Sequence, residues 1–509
     1  MFKPSKQQIR FFNWIEEESG NCILEAVAGA GKTTTLLHGC TRMNGTVWIG
    51  VFNKKLADEI KMKLTSDDDP FGSESHVHTS TFHAAGFAAL RRTGKYRVEA
   101  DKCATIAKRL IDLREGIDQL QNQSLRMSSS LALRLVSLAK NRLLSPDDTD
   151  AWIDLYRHHD LQSPVPDLVI GFAQDILRES LHTRGVIDFD DMIYLPVILD
   201  LRCRQYDWVL VDEAQDTNPA RRALAGKMLK PSGRFIAVGD PRQAIYGFTG
   251  ADNDALDQLR QAYMAITIPL STTFRCPRKV VEYARSFGAT LEAAEDAPEG
   301  IVDTMSEIDA VDQLDNMTSE ERRNSVILCR TTRHLVRLCF RFIHTGIPAR
   351  IEGRSIGQGL IKLATRWKIT NLSDLSDRLE DYRSREVEKA IAAEQEAKAE
   401  WIIDQVTTLQ LLIELTNKNN GHTLSDLTDM IEDMFEDGVS SKGMLTLCTV
   451  HRSKGLEWDT VYLLGRSQLM PSPWAQQEWQ IDQENNLIYV AITRALRRFV
   501  DMTLDIRPS

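Results

Sequence analysis

Apolar residues in this chain collect in short unbroken runs, set between longer stretches whose apolar positions recur at helical spacing. Asn21–Ala26 and Val47–Phe52 are such runs, and the pattern returns at Trp208–Val211 and Arg234–Val238, which close on acidic or glycine-containing turns. Short apolar runs bounded by turn residues predict strands. A second set predicts further strands at Ser325–Cys329, Leu445–Cys448 and Thr460–Leu464. Elsewhere the chain reads as helix, over about 91–184 and again over about 361–440. The latter stretch includes the Lys/Glu/Ala-rich run Glu386–Glu400, which reads as a solvated helix.

A strand, then a glycine loop, then helix formers is the opening of a βαβ unit. No fixed-period repeat is visible. The element order predicts an α/β fold of two cores, each interrupted by a helical insertion. Residues 1–90 and 186–270 make the first core around an insertion at 91–185, and residues 271–360 and 441–509 the second around a shorter insertion at 361–440. The length agrees, since 509 residues at about 150 per domain make three to four domain-sized units.

Composition changes this picture little. Hydrophobic residues at 42% and charged residues at 26% are the balance of an ordinary globular protein. Sixty-two basic against 72 acidic residues give a net charge of −10, which excludes a uniformly basic coat but not a local basic track. Such a track stands at Glu321–Arg354, with eight Arg against two Glu, whereas Ser425–Asp437 carries six acidic residues and no basic one. The eight cysteines form no C-x-x-C pair and no zinc-finger spacing with His, and read as small buried hydrophobes. The start Met1–Arg10 has no apolar signal core, and no long uncharged apolar stretch follows, which predicts a reducing, intracellular compartment and no membrane span.

The candidate chemistry begins straight after the first strand. Ala26–Thr34 reads Ala-Val-Ala-Gly-Ala-Gly-Lys-Thr-Thr, a phosphate-binding loop with Ala26 in place of its first glycine. Ala28, Gly29, Ala30 and Gly31 let backbone N–H groups wrap phosphates, and the next helix adds its positive end. Lys32 then suits the β- and γ-phosphates, Thr33 suits Mg²⁺, and Thr34 completes the loop. Trp208–Asp216 is a strand ending in Asp212 and Glu213. The first suits Mg²⁺ and the second the base or orienting group for an attacking water. Loop and carboxylates together predict an ATPase with ATP and Mg²⁺ as cofactors. Gln243, just past another strand, suits sensing of the γ-phosphate, and Phe248 offers a face for a nucleobase. Asp188–Met192 reads as a structural turn and Asp67–Asp69 as a solvated loop. His76, His78 and His83 read as a polar loop leading into a contact segment rather than as metal ligands.

This ordered set resembles superfamily 1 DNA helicases of the UvrD/Rep/PcrA type, with F-box DNA helicases as near relatives, over most of the chain. The resemblance implies two RecA-like parallel-sheet P-loop motor domains, each with a helical insertion. In Phe2–Gln8 it makes Gln8, in preference to Gln7, the reader of adenine. Val51–Lys54 and Thr81–His83 resemble the segments that contact single-stranded DNA, which implies DNA roles for Phe52, Asn53, Lys54, Thr81, Phe82 and His83. Ser271–Arg275 resembles the aromatic-Arg motif, with Phe274 on adenine in place of the usual tyrosine and Arg275 on the γ-phosphate. Leu447–Trp458 implies ribose contact by Glu457 beside Gly455, and Tyr489–Ala495 makes Arg494 a second arginine finger. Tyr246, Phe248 (where the family has tryptophan), Arg330 and His451 complete the implied DNA contacts.

The resemblance thus implies an ATP-dependent helicase or translocase moving 3′→5′ on single-stranded DNA, with hydrolysis tied to closure between the two cores. The direction rests on the resemblance, chiefly at Ile245–Ala251. The expected partners are single-stranded and tailed duplex DNA, bound without sequence preference, and replication or repair proteins. The chain is expected to be a monomer in the cytoplasm, near the nucleoid or in a host cell if viral. A translocase that strips proteins and unwinds poorly is the alternative. A binding module with a nucleotide switch has no need of two arginine fingers.

Overall fold

The apolar runs become the inner strands of two sheets. The computed structural model describes residues 2–65, 76–113, 119–159, 161, 163–245, 254–392, 396–436 and 444–505. Cys22–Ala26 (β1), Val47–Val51 (β2), Val77–Thr81 (β3), Tyr206–Val211 (β4), Leu229–Gly239 (β5) and Ile266–Leu270 (β6) form one sheet in the order β3-β2-β4-β5-β1-β6. Ile301–Ser306 (β7), Ser325–Cys329 (β8), Ala349–Glu352 (β9), Phe435–Glu436 (β10), Leu445–Thr449 (β11), Trp458–Leu464 (β12) and Ala495–Thr503 (β13) form the other, in the order β7-β13-β12-β8-β11-β9-β10. Neighbouring strands are parallel throughout both. Strands in a parallel sheet covered by helices are buried on both faces, which is why they read as continuous apolar runs. β2 and β8 are buried at every residue.

The strands without such runs are mostly edges. β3 and β6 close the two sides of the first sheet and β7 one side of the second, and each is largely half-exposed or exposed. An edge strand keeps polar residues because one flank and part of a face meet water. This corrects the polar loop expected around His76 and His78: Val77–Thr81 pairs with β2, Trp48 opposite His78.

The chain divides into two compact units, Met1–Val27 with Gly31–Ser271, and Ala28–Ala30 with Thr272–Ser509. In the first, helices Lys102–Leu113, Gln119–Asn141, Thr149–His158 and Pro166–His182 enclose a core of their own around Leu135, Trp152, Phe172 and Ile176. Arg97–Val98 pairs with Val186–Ile187 and ties the two ends of this helical stretch together. In the second, helices Arg354–Ala364, Leu372–Ala392, Glu396–Lys418 and Leu424–Met434 share one core with their sheet, where Leu375, Leu409 and Leu412 belong with Ile327, Phe342 and Leu447. The run Glu386–Glu400 is helical where described, yet not simply solvated. Ala390 and Ala399 are buried, and Glu400 is drawn inward by Arg330 and by the Ser472 hydroxyl at 2.9 Å. The cysteines are all free thiols, and every one except half-buried Cys103 is buried.

These units are two α/β, RecA-like folds. Among the described residues no helix is long and apolar enough to cross a membrane.

Candidate nucleotide and nucleic-acid sites

In the first unit, β5 lies between β4 and β1, so three parallel strands end side by side. From β1 the chain turns through Gly29 and Gly31, at φ +74° and +75°, and enters helix Lys32–Cys40. That left-handed conformation suits glycine, which carries no Cβ to clash. The helix start then faces the loop with open N–H groups and the positive end of the dipole, an anion-binding arrangement.

From β4 come Asp212 and Glu213, and from β5 Asp240 and Gln243. Lys32 Nζ lies 3.0 Å from Glu213 Oε1. Gln215 donates to Glu213 Oε2 at 2.5 Å and accepts from the Asp240 N–H at 3.1 Å, while Gln243 donates to Asp240 Oδ2 at 2.7 Å. A continuous chain therefore runs from the loop lysine through Glu213, Gln215 and Asp240 to Gln243. Gly239 makes room for it: a Cβ there would sit 2.4 Å from Gln215 Oε1. Glu213 itself holds φ +49°, a conformation that costs a non-glycine residue about 1 kcal/mol or more and that recurs where geometry serves a site.

The electrostatics follow from one ammonium among several carboxylates. Burial disfavours the charge on Lys32, but Glu213, Asp240 and Asp212 outweigh that penalty and hold its pKa above the ordinary lysine value. Burial, then the charge of Glu213, push the Asp212 carboxyl up to about 6, despite Lys32 and hydrogen bonds from the Glu213 N–H and the Thr33 hydroxyl. Gln8 is buried beside this site. Its side chain accepts from the Ser5 N–H at 2.8 Å, capping helix Lys6–Glu17, and donates to Thr35 Oγ1 at 2.8 Å. Gln7 instead donates to the Ser271 hydroxyl and accepts from its N–H, both at 2.8 Å.

In the second unit, Phe274 is 53% exposed, and Arg275 pairs through Nε with Glu457 Oε2 at 2.8 Å. Arg494 is buried, donating to the carbonyls of Val490 at 2.9 Å and Leu456 at 3.3 Å. Gly455 turns the chain ahead of Glu457 at φ +85°.

The residues expected at DNA divide. Phe52, Asn53 and Lys54 follow β2 and open the next helix. Thr81 caps helix Phe82–Leu90, accepting from the Ala84 N–H at 3.2 Å. Phe82 is buried edge-on against Trp48, so its ring is part of the core. His83 is half-buried, and burial, then the charge of Arg221, push its imidazole down to about 4. Arg330 is held by Glu484 at 2.9 Å and by Glu400 at 3.3 Å, so within the basic track its charge is already balanced. Burial and then Arg330 push His451 down to about 3. Tyr246, Phe248 and Asp67–Asp69 lie outside the described residues.

Residues 9–264 match the UvrD/REP helicase N-terminal domain and residues 249–500 the UvrD-like helicase C-terminal domain. The chain belongs to the UvrD/REP helicase family. It is 22% identical to ATP-dependent DNA helicase PcrA of Leuconostoc citreum, with 95% of this chain and 80% of that protein covered. To ATP-dependent DNA helicase Rep of Escherichia coli K12 it is 24% identical, over 97% of this chain and 89% of that protein. F-box DNA helicase protein 1 of Schizosaccharomyces pombe is also 24% identical, over 94% of this chain and 55% of that protein.

In this UvrD/REP family member the structure adds residues that sequence reasoning passed over. Gln215 and Asp240 carry the middle of the chain from Lys32 to Gln243, and their positions at two adjacent strand ends were the available signal. Arg221 places its guanidinium 4.2 Å from the centroid of the Phe52 ring, a cation–π contact that also brings it into the field of His83. Phe189 is 55% exposed on a turn whose flanking carboxylates are pinned, Asp188 by Lys140 and Asp190 by the Ser137 hydroxyl. An aromatic between inward-facing aspartates was its mark in the sequence.

Proposed function

We propose that this chain is an ATP-dependent DNA helicase that moves 3′→5′ along single-stranded DNA. The observation that carries the reading is the unbroken hydrogen-bonded chain from Lys32 to Gln243 across three adjacent strand ends. The names of its relatives support ATP and DNA as the ligands. Phosphoryl transfer asks the protein mainly for positioning and for positive charge at the γ-phosphate. The loop of Ala28–Thr34 binds the phosphates and Lys32 places a charge on them. Glu213, held by Lys32 and Gln215, orients and deprotonates the attacking water, and Gln243 senses the γ-phosphate. Arg275 and Arg494 supply further positive charge, so that hydrolysis requires both units. Gln8 and Phe274 read the base.

Mg²⁺ would be held by Thr33 and Asp212 and supplies charge neutralisation. Among the described residues no three of His, Cys, Asp and Glu are arranged around a metal ion. Two protein groups suffice for magnesium, which keeps waters and takes nucleotide oxygens for the rest. The Asp212 carboxyl, raised first by burial and then by the charge of Glu213, fits such a cation, which would offset both.

Phe52, Asn53, Lys54 and His83, with Phe189 and Arg221, offer aromatic faces and cations of the kind that bind single strands without reading sequence, whereas Arg330 is taken up by Glu484 and Glu400. The test is unwinding of duplexes carrying a 3′ or a 5′ tail. Unwinding from the 3′ tail alone is expected. Efficient use of the 5′ tail would overturn the direction, and ATP turnover without strand separation would make the protein a translocase.

A further inference from the structure

We infer that Glu457 is a positioning residue for Arg275, so that a residue read as a sugar contact also governs the rate of phosphoryl transfer. This rests on the readings of Arg275 and Glu457 given above. The two arginines and the loop bearing Glu457 form a closed ring within the second unit. Arg275 Nε meets Glu457 Oε2 at 2.8 Å, and an Arg275 Nη donates to the Thr493 carbonyl at 3.4 Å. From the other side Arg494 donates to Thr493 Oγ1 at 3.1 Å and to the carbonyl of Leu456, the residue before Glu457, at 3.3 Å. The Leu456 N–H bonds back to the Ser453 carbonyl at 3.0 Å, which stiffens the loop.

A guanidinium has five donors in one rigid plane, so fixing its Nε leaves Nη donors for a phosphate. A carboxylate has two oxygens. Oε2 of Glu457 is committed to Arg275, and its side chain is 48% exposed against 20% for the arginine, so the acid stands toward solvent with Oε1 able to accept from a ribose hydroxyl. One carboxylate would then touch both ends of the nucleotide's recognition. A displacement of the finger of even an ångström costs rate rather than affinity.

The experiment compares Glu457→Gln with the unaltered protein, using ATP and 2′,3′-dideoxy-ATP, and reads kcat and KM of DNA-stimulated hydrolysis. The dideoxy nucleotide removes the ribose contact from both proteins. A positioning role predicts that kcat falls about ten-fold with either nucleotide, and that adding Glu457→Gln to Arg275→Ala lowers kcat no further. A Glu457 that only reads the sugar would raise KM for ATP, leave kcat alone and have no effect with the dideoxy nucleotide, and that result would overturn the inference. Full kcat in Arg275→Ala would remove the arginine's own role and the inference with it, a different outcome from an intact arginine effect with an indifferent Glu457.

Discussion

Lys32 and Lys140 are two lysines of the same unit, both facing carboxylates and both shielded from water, and they differ in how their charges sum. Lys140 lies 2.6 Å from Asp188 and 2.8 Å from Asp191, and Lys102 joins Asp191 at 2.7 Å and the Ser180 carbonyl at 2.9 Å. Two ammonium groups meet two carboxylates, and the Asp191 N–H closes the turn onto Asp188 at 2.8 Å. Around Lys32, one ammonium stands in the field of Asp212, Glu213 and Asp240. In the first cluster each ammonium contacts a carboxylate directly, and the third acid in its field, Asp190, is held by the Ser137 hydroxyl. The second keeps an excess of two negative charges, which a divalent cation would offset, and has the N-terminus of helix Lys32–Cys40 beside it. Charge balance, more than burial or the presence of acid–base pairs, separates the structural cluster from the chemical one.

The largest effects should come from removing each lysine. Lys140→Met leaves the buried charge of Asp188 without its ammonium and Asp191 with Lys102 alone, at a cost of about 3–5 kcal/mol, read as a lower urea midpoint. Lys32→Ala should instead lower ATP turnover by about a thousand-fold or more while single-strand affinity stays within a few-fold. A loss of turnover in the Lys140 variant matching that of Lys32→Ala at temperatures where it remains folded would erase the distinction.

Much of this contrast was legible before any fold was known, though not all of it. Asp212 and Glu213 stand out because a strand of uninterrupted apolar residues delivers them to a sheet edge, and the loop Gly29–Thr33 has a spacing that little else requires. Asp188–Met192 was legible as a turn. Its ionic partners Lys102 and Lys140 were not, because lysines about fifty and ninety residues away on amphipathic helices look like ordinary solvated charges. The same holds for Glu400, whose pairing with Arg330 depends on how helix Glu396–Lys418 packs against the turn that follows β8. Local chemistry is written locally, whereas long-range pairing of like-looking charged residues is decided by packing.

A smaller effect concerns pH. The Asp212 carboxyl has its pKa raised from 3.8 to about 6 in the folded state. The native protein therefore holds an extra proton between about pH 4 and about pH 6 and loses stability as pH rises through that window. Asp212→Asn should stabilise the nucleotide-free protein above pH 6 and leave it unchanged below pH 4, measured as Tm against pH. Equal gains at both ends would mean that burial and the charge of Glu213 do not raise this carboxyl.

The smallest effect tests the same logic at the proposed nucleic-acid face, where His83 has the cation Arg221 beside it and, among the described residues, no carboxylate that offsets its burial. Lys32 stays charged because carboxylates outweigh its desolvation, whereas His83, pushed down to about 4, stays neutral. Its folded pKa lies below the unfolded value of 6.5, so the native state excludes a proton there, and stability drains away as pH falls below 6.5. A neutral ring can stack on a base but attracts no phosphate. Single-strand affinity should therefore show the same pH profile from 8 to 5 in the unaltered protein and in His83→Gln, with only a uniform offset for lost stacking. An acid-side rise in affinity that the substitution abolishes would mean that DNA supplies the missing negative charge, and that this face, like the phosphate loop, is completed electrostatically by its ligand.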